Sequence, residues 1–117
     1  MQIKYIDMID WLQNWYHAQC NGNWEHDYGV RIETLDNPGW SIEIDLVNIE
    51  VTMATLKWQL IEISTDNWIG YRVEDGKYSA SGDPKKLDLL ILIFKQIIEY
   101  GTITNSFVLE QMNSLKS

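Results

Sequence analysis

The residues best suited to chemistry lie close together, between positions 17 and 26. His17, Cys20, Glu25 and His26 offer the imidazole, thiolate and carboxylate groups that zinc prefers as ligands. Their spacing is not diagnostic, because the sequence has no Cys-x-x-Cys or His-x-x-x-His pair to complete a ligand set. The alternative is that Cys20 is a small buried thiol, and the spacing favours that structural interpretation.

Glu25 beside His26 also offers a general acid and a general base. Neighbouring residues of an extended segment point to opposite faces, however, and no serine, cysteine or second carboxylate lies at a diagnostic distance. The structural alternative is that Glu25 caps or salt-bridges the loop while Trp24 fills the core. The sequence also has no glycine-rich phosphate loop. A small metal-binding protein or hydrolase built on these residues is therefore the alternative hypothesis to a binding protein.

The length and composition of the chain predict one folded domain. The chain has 117 residues, 45% of them apolar, and only two prolines, which suits a single core. A lone cysteine, Cys20, excludes an internal disulfide framework and suits a reducing compartment. The first residues lack the pattern of a signal peptide, and no run approaches the ~18 apolar residues of a membrane span. We expect a cytoplasmic protein without a membrane segment.

The charge of the chain argues against direct binding to nucleic acid. Nine basic residues stand against seventeen acidic ones, a formal net charge of −8. Nucleic-acid binders need a basic surface, because neutralising phosphates supplies most of their affinity. An acidic surface instead attracts basic partners and raises association rates. The alternative is that the charge only keeps the protein in solution.

Apolar residues three and four positions apart predict two long helices. The first covers residues 5–20 and ends near Cys20, because Asn21-Gly22 tolerates the left-handed backbone that stops a helix. The second begins at Asp83-Pro84, an N-cap followed by proline at the first helical position, and ends at Gly101. A shorter helix is predicted over residues 106–115.

A two-residue alternation of apolar and polar side chains predicts strands over residues 30–34 and 40–46. A loop through Asn37, Pro38 and Gly39 joins them. We expect three loop residues, with Asp36 opposite Trp40 and Ile32 opposite Ile44. This register keeps the apolar side chains of both strands on one face.

Asp75-Gly76 predicts a second hairpin with a two-residue turn. This turn pairs Glu74 with Lys77 and Val73 with Tyr78. Both strands then agree on which face is apolar.

Residues 56–64 predict an irregular strand. Leu56, Trp58 and Leu60 share one face and Ile61 and Ile63 share the other, which indicates a bulge or a covered second face. The order is therefore helix, about five antiparallel strands, helix. The sequence predicts a single α+β domain over residues 1–117, with the N-terminal and C-terminal helices on the apolar face of the sheet.

The other face of this sheet collects polar side chains and a tryptophan. Trp68 alternates in step with Arg72, and Glu33, Glu43 and Asp45 form an acidic strip on the same face. A tryptophan among charges is typical of a protein-interface hot spot. The alternative is a solvated face on which Arg72 stacks against a partly buried ring.

Three segments of the chain resemble the immunity protein 53 family, which belongs to bacterial polymorphic toxin systems. These segments are Trp11–Tyr16, Cys20–His26 and Ile32–Trp40. The resemblance implies an intracellular α+β protein that is made alongside a toxin and that binds and neutralises it. Trp24 and Glu25 match the characteristic Trp-Glu pair of the family. The resemblance implies neither catalytic residues nor a cofactor.

We therefore expect a non-catalytic inhibitor that stops its cognate toxin by steric and electrostatic occlusion, with no metal and no cofactor. The expected partner-binding residues are Glu33, Glu43, Asp45, Trp68 and Arg72 on the sheet face and Trp24, Glu25 and His26 in the loop. If the toxin is a basic nuclease, the carboxylates would mimic phosphate. The chain is expected to be a monomer or a homodimer, with the apolar stripe over residues 87–98 as one candidate dimer seam.

Overall fold

A computed structural model describes residues 7–114. In this part of the chain the elements are α1 (Met8–Gln19), α2 (Trp24–Asp27), β1 (Val30–Leu35), β2 (Gly39–Asp45), β3 (Leu56–Ser64), β4 (Asn67–Glu74), β5 (Lys77–Gly82), α3 (Leu87–Tyr100) and α4 (Asn105–Ser114). The strands form one five-stranded antiparallel sheet in the order β1-β2-β5-β4-β3. The predicted α+β class is therefore confirmed, with helices at both ends of the chain.

α1 is capped by Asp7, whose carboxylate accepts hydrogen bonds from two amides of the first turn. The predicted start of this helix at Tyr5 lies outside the described residues. The helix ends at Gln19, next to the predicted end at Cys20. Cys20 itself is extended, with φ −71°, and the left-handed backbone falls on Gly22, with φ 92°.

β4 and β5 form the hairpin that Asp75-Gly76 predicts. Both turn residues have positive φ, 57° at Asp75 and 73° at Gly76, as a two-residue turn of type I′ requires. Glu74 pairs with Lys77 and Val73 pairs with Tyr78. The predicted register is confirmed.

The β1–β2 hairpin differs by two residues from the predicted register. Its loop has three residues, as predicted, but begins one residue earlier, and Ile32 pairs with Ile42 rather than with Ile44. Gly39 is part of β2 because its backbone packs against Gly82 of β5. A Cβ at Gly39 would collide with the Gly82 carbonyl oxygen. The shift of two leaves every side chain on its predicted face.

Two irregularities break the pairing of β3 with β4, between residues 56 and 59 and between residues 62 and 64. The predicted bulge is confirmed. The first irregularity keeps Leu56 on the core face and turns Trp58 and Leu60 to the opposite face, where the Trp58 ring contacts Gly70. The prediction that Leu56, Trp58 and Leu60 share one face is therefore wrong, because an extra residue in a strand reverses the alternation after it.

α3 lies on the core face of the sheet and is largely buried. Leu90, Ile91, Phe94 and Ile97 are 0% exposed. The Tyr78 hydroxyl donates a hydrogen bond to the Leu90 carbonyl oxygen at 2.6 Å. The broad apolar stripe of this helix is thus buried inside the chain, which corrects the suggestion that it forms a dimer seam.

The start of α3 also differs from the prediction. The helix begins at Leu87, and Lys86 rather than Asp83 occupies its N-cap. Asp83 and Pro84 form the turn before the helix, in which the Asp83 carboxylate accepts a hydrogen bond from the Lys85 amide at 2.9 Å. The predicted end at Gly101 is confirmed, and this glycine has φ 84°.

α4 packs beside β3 on the core side. The Tyr71 hydroxyl donates to Oδ1 of Asn105 at 2.5 Å, and Nδ2 of Asn105 donates to Gln59 at 2.9 Å. The predicted helix over residues 106–115 is confirmed to within one residue at its start, and its predicted end at Leu115 lies outside the described residues. No helix in residues 7–114 is long and apolar enough to cross a membrane.

Candidate partner-binding face

The segment from Cys20 to Tyr28, here the loop, is held in place by Trp24. The Trp24 side chain is 4% exposed, and its ring packs edge-on against Trp15 with centroids 6.1 Å apart. Its Nε1 donates a hydrogen bond to the Val47 carbonyl oxygen at 2.9 Å. Trp24 therefore fills the core at this end of the molecule, as the structural interpretation of the sequence has it.

Glu25 uses both carboxylate oxygens inside the loop. Oε1 accepts a hydrogen bond from the Asn21 amide at 2.9 Å, and Oε2 accepts one from the Gly22 amide at 2.8 Å. Backbone hydrogen bonds, from its own amide and from these two, together with nearby His26, lower the pKa of the Glu25 carboxyl. This carboxylate acts as a clamp on the turn between α1 and α2.

The remaining residues of the chemical cluster do not converge. The Cys20 thiol donates to the Tyr16 carbonyl oxygen of α1 at 3.4 Å, and His26 is exposed. Glu25 and His26 lie in α2, a single helical turn, rather than in the extended segment that the sequence suggests for them. Within residues 7–114, no three His, Cys, Asp or Glu side chains lie close enough together to hold a metal ion.

The face of the sheet turned away from α1, α3 and α4 is here called the open face. The long helices contact the other face through core residues such as Tyr71 and Tyr78, and the alternation along each strand directs the intervening side chains to the open face. Its larger side chains are Arg31, Glu33, Leu35, Glu43, Asp45, Trp58, Leu60, Glu62, Trp68, Arg72, Glu74 and Lys77.

One end of the open face carries a network of charges centred on Arg31. The guanidinium contacts the Glu43 carboxylate at 3.0 Å and the Asp45 carboxylate at 3.2 Å. Lys77 lies 3.9 Å from the same Glu43 oxygen. These pairs raise the pKa of Arg31, through the hydrogen bonds that its guanidinium donates to Asp45 and then to Glu43. The predicted acidic strip is therefore largely neutralised by its own neighbours.

Asp45 joins this network to Gly29, the residue that follows the loop. It is only 6% exposed, and its Oδ2 also accepts a hydrogen bond from the Gly29 amide at 2.9 Å. Burial alone would raise the pKa of this carboxyl, but the hydrogen bonds from Arg31 and Gly29 outweigh it, and the pKa is lowered. Asp45 is thus a structural anion, held between β1 and β2.

A second, smaller ion pair lies beside the first network. Arg72 contacts Glu74 at 3.3 Å, and Lys57 approaches the same carboxylate at 3.9 Å. Glu33, on the edge strand β1, forms no ion pair with any of the described residues. Glu33 is therefore the acid of the predicted strip that keeps an uncompensated charge.

The other end of the open face carries an apolar patch, here called the aromatic patch, made of Trp58, Leu60 and Trp68. Trp58 is 46% exposed and Leu60 is 56% exposed. The Trp58 ring lies against the Cα of Gly70, where any Cβ would collide with it, and the Trp68 ring lies 3.5 Å from the Cβ position of Gly39. Each ring thus lies against a glycine, where the absence of a Cβ leaves room for it.

A buried ion pair holds the strand end from which Trp68 projects. The Asp83 carboxylate contacts Lys86 Nζ at 2.6 Å, with 2% and 7% of the two side chains exposed. The same carboxylate accepts a hydrogen bond from the Trp68 amide at 3.0 Å. Burial opposes the charge of Asp83, but Lys86 and the backbone amides of Lys85 and Trp68 lower its pKa on balance. The pair therefore fixes the backbone of Trp68.

The structure brings five of the predicted site residues onto one face and separates the other three. Glu33, Glu43, Asp45, Trp68 and Arg72 share the open face, as their alternation predicts. The three predicted loop residues lie apart from this face, next to α1. Trp24 is buried, Glu25 is bonded to backbone amides, and His26 is exposed.

Sequence reasoning misses the apolar side chains that β3 contributes to the open face. The alternation places Trp58 and Leu60 on the same side as Leu56, because the position of the bulge is not visible in it. The signal that could have placed them is Gly70, since a glycine inside a strand marks a close approach by a neighbouring group.

The comparison with protein families agrees with this architecture. The model of the family described as immunity protein 53 matches residues 9–99 of the 117, so the matched region runs from α1 to the end of α3. The chain belongs to the immunity protein 53 family. Membership supports an immunity function and implies a toxin as the partner in general. No curated protein and no solved structure matches the chain.

Proposed function

We propose that this protein neutralises a cognate toxin by binding it through the open face, in the cytoplasm and without catalysis. The observation that carries the proposal is the aromatic patch beside a fixed network of charges, on a sheet face that α1, α3 and α4 leave uncovered. Family membership supports a toxin as the partner. The open face supports the place of contact.

The aromatic patch supplies the apolar anchor of the proposed interface. Trp58 and Leu60 keep about half of their side-chain surface in solvent, although large apolar residues are usually buried. Tryptophan is enriched among the residues that dominate binding energy, and it contributes most near the centre of an interface. Contiguous exposed apolar surface on a folded domain is itself a mark of an interaction site.

The charged end supplies orientation and speed of association rather than anchoring energy. The side chains of Arg31, Glu43 and Arg72 are each 38–44% exposed and already held in ion pairs. A partner thus meets charges that need no reordering, which lowers the entropic cost of binding. The formal net charge of −8 favours a basic toxin, such as a nuclease, during the approach.

Occlusion is the mechanism that this surface supports. The open face is a pleated sheet backed by a buried core, so it changes shape little on binding. A rigid surface of this kind can cover the substrate site of a toxin without transforming anything. Glu25, His26 and Cys20 are not needed for this role, because the loop uses Glu25 and Trp24 for its own structure. We therefore place the contact on Glu43, Trp58, Leu60, Trp68 and Arg72.

The test is binding of Trp58→Ala to the toxin encoded beside this chain. We expect at least tenfold weaker binding by calorimetry, and loss of growth rescue on co-expression, because an interface tryptophan contributes about 2 kcal/mol or more. The matched control is Tyr100→Ala, since Tyr100 is 69% exposed and lies at the end of α3, away from the open face. Equal affinities for the wild type and Trp58→Ala, with Tyr100→Ala the weaker binder, would move the interface to the helical side.

A further inference from the structure

The outer edge of β1 is the one long, regular strand edge in the described part of the molecule. Within residues 7–114, no strand pairs with this edge, and β1 pairs with β2 over six consecutive residues without a break. The opposite edge of the sheet, β3, is interrupted by two irregularities. Bulges are a common protection of sheet edges against pairing with another chain, and β1 has none.

The backbone groups that β1 presents at its edge can be identified. The Asp45 amide donates to the Gly29 carbonyl oxygen, so this residue pair is a hydrogen-bonded one. Such pairs alternate along an antiparallel ladder. The amides and carbonyls of Val30, Ile32 and Thr34 therefore point outward, away from β2.

An apolar groove runs beside this edge on the core side. It has a volume of about 400 Å³ and lies between α1 and β1, with walls that include Ile9, Leu12, Tyr16 and Ile32. Ile9, Tyr16 and Ile32 are 37–41% exposed. The core thus continues past the last strand, and a further strand with apolar side chains would cover it.

The charges of β1 favour a second copy of the same strand as its partner, and they favour one register for the pair. When two β1 strands run antiparallel with Ile32 opposite Ile32, Arg31 of each copy lies opposite Glu33 of the other. A shift of two residues in one direction places Arg31 opposite Arg31, and a shift in the other direction places Glu33 opposite Glu33. Like charges directly opposite each other destabilise a strand pair, and opposite charges stabilise it.

This register also satisfies the backbone. Ile32 exchanges two hydrogen bonds with its copy, and Val30 exchanges two with Thr34 of the other chain, all from groups that point outward. Glu33, which has no ion pair among the described residues, gains one. Ile32 of each copy then lies in the joined groove.

We propose that two copies of this chain pair through β1, antiparallel about a twofold axis at Ile32, and form one continuous sheet with five strands from each copy. The open faces of both copies remain uncovered in this dimer, so each binds its own toxin molecule. The proposal does not depend on toxin binding and is tested on the chain alone.

The first test is the molar mass of the full chain by light scattering and sedimentation velocity. We expect twice the mass of the 13.7 kDa chain. Glu33→Arg faces Arg31 of the other copy with a like charge and should weaken the dimer at least tenfold. The matched control is Glu62→Arg, which makes the same charge change at an exposed position of β3 and should leave the dimer intact.

The second test removes a backbone donor that only the dimer uses. Thr34→Pro deletes an outward amide and is compatible with an edge strand, whereas the control Thr34→Val keeps the amide. We expect Thr34→Pro to be monomeric with an unchanged circular dichroism spectrum. We also expect a mixture of Glu33→Arg with Arg31→Glu to form heterodimers, because each then meets the opposite charge.

Two outcomes overturn the proposal. One is a wild-type chain that stays monomeric at several hundred micromolar. If Thr34→Pro then weakens toxin binding, β1 pairs with a strand of the toxin instead of with a second copy. The other is a dimer that survives both Glu33→Arg and Thr34→Pro, which would place the interface elsewhere.

Discussion

The loop and the open face both carry the residue types that suggest function, but they use them differently. In the loop, both carboxylate oxygens of Glu25 accept hydrogen bonds from backbone amides, and Trp24 is only 4% exposed. On the open face, the residue Trp58 is 46% exposed and the side chain of Glu43 is 39% exposed. The difference teaches that residue type alone does not mark a binding site: Trp24 and Glu25 are used by the fold itself, whereas Trp58 and Glu43 remain exposed.

The largest expected effect is a difference in stability between replacing Trp24 in the loop and replacing Trp58 on the open face. Trp24→Ala should lower the free energy of unfolding by about 4 kcal/mol, because it empties a packed core position and removes the hydrogen bond to Val47. Trp58→Ala, the control, should cost roughly 1 kcal/mol or less, since its ring is half exposed. Urea unfolding followed by circular dichroism measures both. Similar losses for the two variants would contradict the division between the regions.

Asp45 connects the charges of the open face to Gly29, directly after the loop, and its replacement should have the next largest effect. Asp45→Asn weakens the hydrogen bonds to Arg31 and to the Gly29 amide, so we expect about 2 kcal/mol less stability at pH 7. Asp36→Asn, at an exposed position of the β1–β2 loop, is the matched control and should change stability little. The measurement is again urea unfolding.

The same residue predicts the direction of the pH dependence. The pKa values of Asp45, Asp83 and Glu25 are lowered by folding, so the unfolded chain binds more protons than the folded one as the pH falls through the unfolded values of about 4. The contribution of these three carboxylates to the free energy of unfolding is therefore fully present above that range and is lost progressively below it. Asp45→Asn should show a shallower loss between about pH 5 and 2 than the wild type. An unchanged slope would mean that Asp45 is not held as an anion.

The fold was predictable wherever a local signal fixes the geometry. Asp75-Gly76 allows one turn type, so the pairing of β4 with β5 follows from it residue by residue. The β1–β2 loop has no such signal, because a shift of two residues preserves the pattern of faces, and Gly39 is drawn into the strand by its contact with Gly82. That contact joins residues more than forty positions apart, and nothing in the local sequence reports it.

The candidate site was predictable to the same extent. Alternation places Trp68 and Arg72 on the open face, because β4 is regular. It misplaces Trp58, because the bulge in β3 depends on how that strand pairs with β4. It also presents Asp45 as a surface acid, although the side chain is buried by Arg31 across the strand pair. Burial and partner choice are tertiary properties, and they decide which members of a predicted site are available.

The smallest expected effect concerns the association rate of the proposed complex between the open face and the toxin. Glu43→Gln removes one exposed charge from the network and should slow association two- to fivefold at low salt, with little change in dissociation, because a charge at the edge of an interface acts mainly on the approach. The matched control is Glu99→Gln on α3, whose side chain is 40% exposed against 39% for Glu43 and also pairs with a lysine. Both variants change the net charge equally, so a difference between them reports the position of the charge. Raising the salt to about 0.5 M should abolish that difference, since screening shortens the range of the field to a few ångströms. Equal slowing by both variants would assign the attraction to the charge of the whole molecule rather than to the open face.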